Sequence, residues 1–156
     1  MKARGALFKI SLFVLIGLTI SIVNGYADQT EYYNPAVGDK NSASYWLDQG
    51  GLLSTYGNYA AAVHAYEKAL EIDPNNSEAV FNIGVANAEM GDFSKAISFI
   101  NKAMTLSTNN GRYYYGRGWV KLMTGQSQDA YNDFQKAADL GDLDAIMFLQ
   151  RLDDKS

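Results

Sequence analysis

His64 is the only histidine in the 156 residues, and there is no cysteine. A transition-metal site gathers several His, Cys or carboxylate ligands. No second His or Cys is present to join His64, which reads instead as an exposed or half-buried helix residue. Asp139, Asp142 and Asp144 lie close together. A calcium loop needs alternating acids, a central Gly and a distal Glu, and the spacing here fits a helix C-terminus followed by an N-cap better. Gly116-x-Gly118 is half of a dinucleotide fingerprint, but it falls inside a helical pattern with no strand before it. Asn75-Asn76-Ser77 matches a glycosylation acceptor and also reads as the turn and cap between two helices. Asp153-Asp154 reads as solvated tail charge. No Ser/His/Asp or Cys/His set can be assembled with any specificity. The expectation is a non-enzymatic chain with no cofactor and no metal.

The elements that carry these residues repeat. Trp46 to Pro74 holds two helical patterns separated by Gly57-Asn58, and the second stops at Asp73-Pro74. Gly50, Gly84 and Gly118 are 34 residues apart, as are Gly57, Gly91 and Gly125. Ala62, Ala96 and Ala130 follow the same step, then Tyr66, Ile100 and Phe134, then Ala69, Ala103 and Ala137. Small residues at a helix crossing let two antiparallel backbones approach closely. Gly within a helix costs roughly 1 kcal/mol against Ala, so three at one spacing imply a packing need. Gly57, Gly91 and Gly125 suit the left-handed residue that ends a helix. Asn58, Asp92 and Ser127 sit near the next helix start, where short polar side chains cap free N–H groups. Pro74 ends the second helix because it cannot donate to the ladder. The expected helices are 43–56, 59–72, 77–90, 93–106, 111–124 and 127–140.

Paired helices at a 34-residue period are the tetratricopeptide signature, and the sequence resembles the tetratricopeptide repeat (TPR) family. The repeats fall at 43–76, 77–110 and 111–144, which is 102 of 156 residues. The first copy has Trp46, Gly50, Gly57, Tyr59, Ala62, Tyr66, Ala69 and Pro74 where the family has them. The second keeps Gly84, Gly91, Phe93, Ala96 and Ala103, with Thr108 in place of Pro. The third keeps Gly118, Gly125, Ala130, Phe134 and Ala137, with Asp142 at the Pro position. The resemblance implies an all-α, right-handed α-solenoid of three helix pairs. A C-terminal helix and tail at 145–156 would cap the last apolar face, which stacked repeats otherwise expose. The join from Ala137-Ala138 to Gly141 is similar to the Ala-Ala-x-x-Gly turn of Sel1-like repeats.

Such repeats are binding scaffolds, and in the family the inner face of the first helices lines a concave groove. The positions that match are Leu47, Gly51 and Ser54, then Phe81, Asn82, Val85 and Ala88, then Arg112, Tyr115, Trp119 and Leu122. They make a rising apolar stripe with one cation and one amide. Members that hold the C-terminal carboxylate of heat-shock chaperones use a clamp of Lys, Asn and Arg. The matching positions here are Leu47, Gly51, Asn82, Arg112 and Gly116. Asn82 matches and Arg112 is a tolerable substitute; the other three fail, so a chaperone clamp is not expected.

The N-terminus is a different object. Lys2, Arg4 and Lys9 flank the start of an apolar run from Ile10 to Val23, followed by Gly25-Tyr26-Ala27. A basic start, a short apolar core and a small-residue pair make a secretory signal peptide over 1–27. A membrane-spanning helix needs about 20 apolar residues, and this run is shorter. No cysteine is available for lipid modification. Removing 1–27 leaves ten basic against seventeen acidic residues, a net charge of −7. That balance argues against nonspecific nucleic-acid binding. Residues 28–42, polar with Tyr32, Tyr33, Pro35 and Gly38, read as a flexible leader. The expected protein is an exported, periplasmic or secreted scaffold for a protein or peptide partner. Its membrane contact would be confined to the first segment, if that is not cleaved. The alternatives are a structural subunit of an envelope assembly, or an accessory module of a peptidoglycan or secretion complex.

Overall fold

The computed structural model describes residues 38–154. The signal segment expected at 1–27 and the part of the expected leader up to residue 37 lie outside the described residues. Among the described residues seven helices follow one another: α1 (Ala43–Thr55), α2 (Tyr59–Ile72), α3 (Ser77–Glu89), α4 (Phe93–Leu106), α5 (Gly111–Met123), α6 (Ser127–Asp139) and α7 (Leu143–Asp153). The first six agree with the expected bounds to within one residue. No described helix is long and apolar enough to cross a membrane.

Local chemistry sets these bounds. Ser42, Asn58, Asn76, Asp92, Asn110 and Asp142 each accept a backbone N–H from the first turn of the helix that follows. Each such cap stabilises its helix by about 1 kcal/mol. The Lys95 ammonium and the Lys95 backbone N–H hold the Asp92 carboxyl below the usual carboxylate range. α6 departs from the expectation. Ser127 is its first helical residue rather than its cap, and Gln126 in the cap position makes no side-chain cap. At the other ends, α1, α3 and α5 close on Gly57, Gly91 and Gly125, whose φ values of 74, 83 and 80° are left-handed. The N–H after each glycine reaches back to close a six-residue turn, as in Asp92 N to Asn87 O at 2.9 Å.

The second helices end differently. α2 and α4 run out into extended residues, Asp73 and Ser107. α6 instead closes on Gly141, with φ 85°, and Asp142 N donates to Ala137 O at 3.0 Å. This is the turn the Ala137-Ala138 join implied. It shortens the connection, and α7 starts two residues earlier than the expected cap. Residues 38–42 form a turn held against α1: Trp46 Nε1 donates to Lys40 O at 2.9 Å, and Gly38 lies against the Tyr45 ring.

Each helix packs most closely on its hairpin partner, α1 on α2, α3 on α4 and α5 on α6, and successive pairs stack through α2–α3 and α4–α5. The glycine–alanine crossings explain the pairing. A Cβ at Gly84 would meet Ile100 Cγ1 at 2.8 Å and Ala96 O at 3.1 Å, and one at Gly118 would meet Phe134 Cε1 at 2.7 Å. Gly50 lies as close to the Tyr66 ring. Ala62, Ala96 and Ala130 on the facing helices are fully buried. Ala62, Tyr66, Ala69, Ala79 and Ile83 form one apolar cluster; Val80, Phe81, Ala96, Ile100, Ala103, Tyr113 and Val120 form the next. Ala62→Leu, Ala96→Leu and Ala130→Leu should each destabilise the domain by roughly 1–3 kcal/mol through overpacking. Urea midpoints check this, and three variants as stable as wild type would contradict the crossing geometry.

α7 packs on α6. Its Phe148 lies 4.6 Å from Phe134 and 5.3 Å from Trp119, centroid to centroid. It covers one side of the last pair, as a terminal helix must.

Candidate functional site

α3 and α5 bound a cleft of about 440 Å³. That falls within the range of ligand pockets. From α3 it is lined by Phe81, Val85, Ala88 and Glu89; from α5 by Arg112, Tyr115, Gly116, Trp119, Val120 and Met123. Ile100 closes its back, and Asp142 and Asp144 stand at the edge contributed by the start of α7.

Five of the eight expected groove residues meet here: Phe81, Val85, Arg112, Tyr115 and Trp119. Leu47, Asn82 and Leu122 do not line the cleft, and Leu47 packs against the first apolar cluster. The stripe is therefore less continuous than the register suggested. Phe81 is only 3% exposed. It stacks on Tyr113 at 4.7 Å and forms the floor of the cleft rather than a free surface. Trp119 is 37% exposed and has two roles. One part of its ring packs edge-on against Tyr115, Phe134 and Phe148, and the remainder faces the cleft. Met123, absent from the expected set, is 64% exposed and lines the open end.

Gly116 explains the floor. A Cβ there would stand 2.8 Å from Phe81 Cε2 and Cζ. Only a residue without a side chain lets the Phe81 ring cross beneath α5 in this position. Gly116 also occupies one of the clamp positions, so a long cation could not replace it without displacing Phe81.

The polar lining is mostly acidic. Arg112 is the one cation in it, against Glu89, Asp142 and Asp144. Its guanidinium lies 3.5 Å from Glu78 Oε1 and 5.0 Å above the Phe81 ring, so its charge is already shared. The amide expected beside it, Asn82, is not in the lining. His64 stands apart on α2, 3.9 Å from Glu67, and no group of His, Cys, Asp or Glu among the described residues could hold a metal ion.

A second polar cluster, not singled out in the sequence, lies where α4, α5 and α6 meet. Asp133 receives Arg117 Nε at 2.9 Å and Lys121 Nζ at 2.8 Å on one carboxylate oxygen, and Arg117 Nη2 at 2.6 Å on the other. Arg117 Nη1 continues to Asn101 Oδ1 on α4 at 2.7 Å. The hydrogen bonds to Asp133 raise the Arg117 pKa above its ordinary value, against the opposing effect of burial. This cluster ties the third pair to the second and does not reach the cleft.

Stacked helix pairs with a cleft between successive first helices define a helical-repeat fold. Two family descriptions match the sequence: "TPR repeat" over residues 56–91 and "Tetratricopeptide repeat" over 77–110. The chain is a tetratricopeptide-repeat protein. It is similar to the first TPR domain of Spaghetti (RPAP3) bound to the HSP90 peptide SRMEEVD. The TM-score is 0.64 at 23% identity, over 75% of this chain and 94% of that one. The NMR structure of the first TPR domain of human RPAP3 gives a TM-score of 0.66 at 22% identity, over 74% and 93%. A crystal structure of MamA gives 0.60 at 23% identity; the alignment covers 69% of this chain and 63% of MamA, less than two thirds of that protein's length. These likenesses concern the fold. No curated protein sequence matches the chain significantly.

Proposed function

We propose that the protein is an exported, non-catalytic scaffold that binds a protein or peptide segment in the cleft between α3 and α5. The observation that carries this reading is the cleft itself: an apolar floor at Phe81 and Val85, with Trp119 and Met123 partly open to solvent beside it. Grooves of this kind accept extended strands or short amphipathic helices. The HSP90 peptide bound to the first TPR domain of Spaghetti (RPAP3) supports peptide binding as a mode open to the fold. It does not carry its chemistry across, because the clamp positions hold Leu47, Gly51 and Gly116. The test is capture with the purified chain, wild type against Met123→Ala and Trp119→Ala, quantified by mass spectrometry. A partner retained equally by all three would place binding elsewhere.

Export rests on the first 27 residues. The protein isolated from cells should begin at Asp28, as read by intact mass. Full-length protein retained in membranes would refute cleavage and favour an anchored form. A structural-subunit reading draws support from α7, where Leu143 and Met147, four residues apart, are exposed on the side away from the core. Self-association of the purified protein would favour that second reading.

A further inference from the structure

Resting on the cleft reading above, we infer that the segment it takes is basic: an apolar side chain carried beside at least one Lys or Arg. The charges decide this. Both ends of the cleft are dominated by carboxylates. At one end Arg112 is flanked by Glu78, its ion-pair partner at 3.5 Å, and shares the lining with Asp142 and Asp144. At the other end Glu89 is the last residue of α3. There the negative end of the helix dipole adds to the carboxylate. Glu89 and Asp144 take part in no ion pair among the described residues. A carboxylate-bearing or phosphorylated ligand would meet three lining acids with one cation already engaged. A cationic ligand would meet free acids on both sides of the Phe81 floor. The net charge of −4 on the whole chain likewise disfavours a second copy as the occupant. The apolar wall from Val85, Ala88 and Met123 supplies contact area, and the carboxylates supply selection and orientation.

Selection of a random dodecapeptide phage library on the immobilised full chain tests this. The winners are then resynthesised and titrated by fluorescence polarisation. Enriched peptides should join Lys or Arg to a large apolar residue. Their affinity should fall about tenfold or more between about 0.05 and 0.5 M salt, and by a similar factor in Glu89→Gln/Asp144→Asn. Ala88→Tyr, which fills the cleft, should abolish binding; Met123→Ala serves as a milder second variant, and urea midpoints confirm that each is folded. Acidic or neutral winners that lose binding in Ala88→Tyr would overturn the charge inference and leave the cleft reading standing. No enrichment, or winners indifferent to both cleft variants, would overturn both.

Discussion

Asp133→Ala is expected to destabilise the domain by about 2–4 kcal/mol, the largest loss of stability from any single polar substitution in it. Asp133 is 5% exposed, while the side chains of Arg117 and Lys121 are 22% and 20% exposed. Removing one partner of a buried ion pair costs roughly 3–5 kcal/mol, because a charge is left without compensation. Partial exposure of the two cations sets the lower figure. The loss reaches beyond one hairpin. Asp133 on α6 fixes the guanidinium on α5 that also binds Asn101 on α4. Asp133→Asn keeps the shape and one acceptor, and should fall between wild type and Asp133→Ala. Urea unfolding gives the comparison. A lower midpoint with an unchanged slope means lost stability. A shift corresponding to less than about 0.5 kcal/mol would mean that water serves the two cations as well as Asp133 does.

That cluster also shows what could not be read in the sequence. Helix bounds were legible because their causes are local. A glycine in a left-handed turn and an Asn or Asp one residue later specify an end and a start within a few positions. The crossings were legible because Gly and Ala recur at a fixed period. Arg117 and Asp133 are sixteen residues apart on different helices, and each alone looks like an ordinary surface charge. Their pairing exists only once the hairpin closes. The groove was legible as a face but not as a surface. Phe81 and Val85 hold in the second repeat the positions of Tyr115 and Trp119 in the third, yet Phe81 stacks on Tyr113 and is buried, whereas Trp119 meets its aromatic neighbours edge-on and stays 37% exposed. The signal that could have separated them was Gly116, a helical glycine outside the 34-residue series. Its missing Cβ is what admits the Phe81 ring. The acidic rim escaped for another reason. A register built on the first helices of three repeats omits α7, which contributes Asp142 and Asp144.

Trp119→Ala is expected to weaken partner capture by about 2 kcal/mol or more, roughly thirtyfold, and to lower stability by a comparable amount. The first figure follows from the behaviour of partly open aromatic anchors at binding surfaces. The second follows from the packing: the ring lies 6.1 Å from Tyr115, 5.8 Å from Phe134 and 5.3 Å from Phe148, and truncation removes all three contacts. A fully buried Trp→Ala change costs about 3–5 kcal/mol, and the 37% exposure of Trp119 scales that down. Capture must therefore be compared per folded molecule, below the unfolding transition of the variant. Trp119→Phe separates the two effects, since it keeps an aromatic ring against Phe134 while giving up most of the area that faces the cleft. Met123→Ala gives the complementary test. Met123 is 64% exposed, so its loss should reduce capture with little change in the urea midpoint. If folded Trp119→Ala captures the partner as well as wild type, and Met123→Ala does the same, the aromatic cluster serves only to seat α7 on α6. Binding would then have to use another surface, and the exposed side of α7 at Leu143 and Met147 would be the next place to probe.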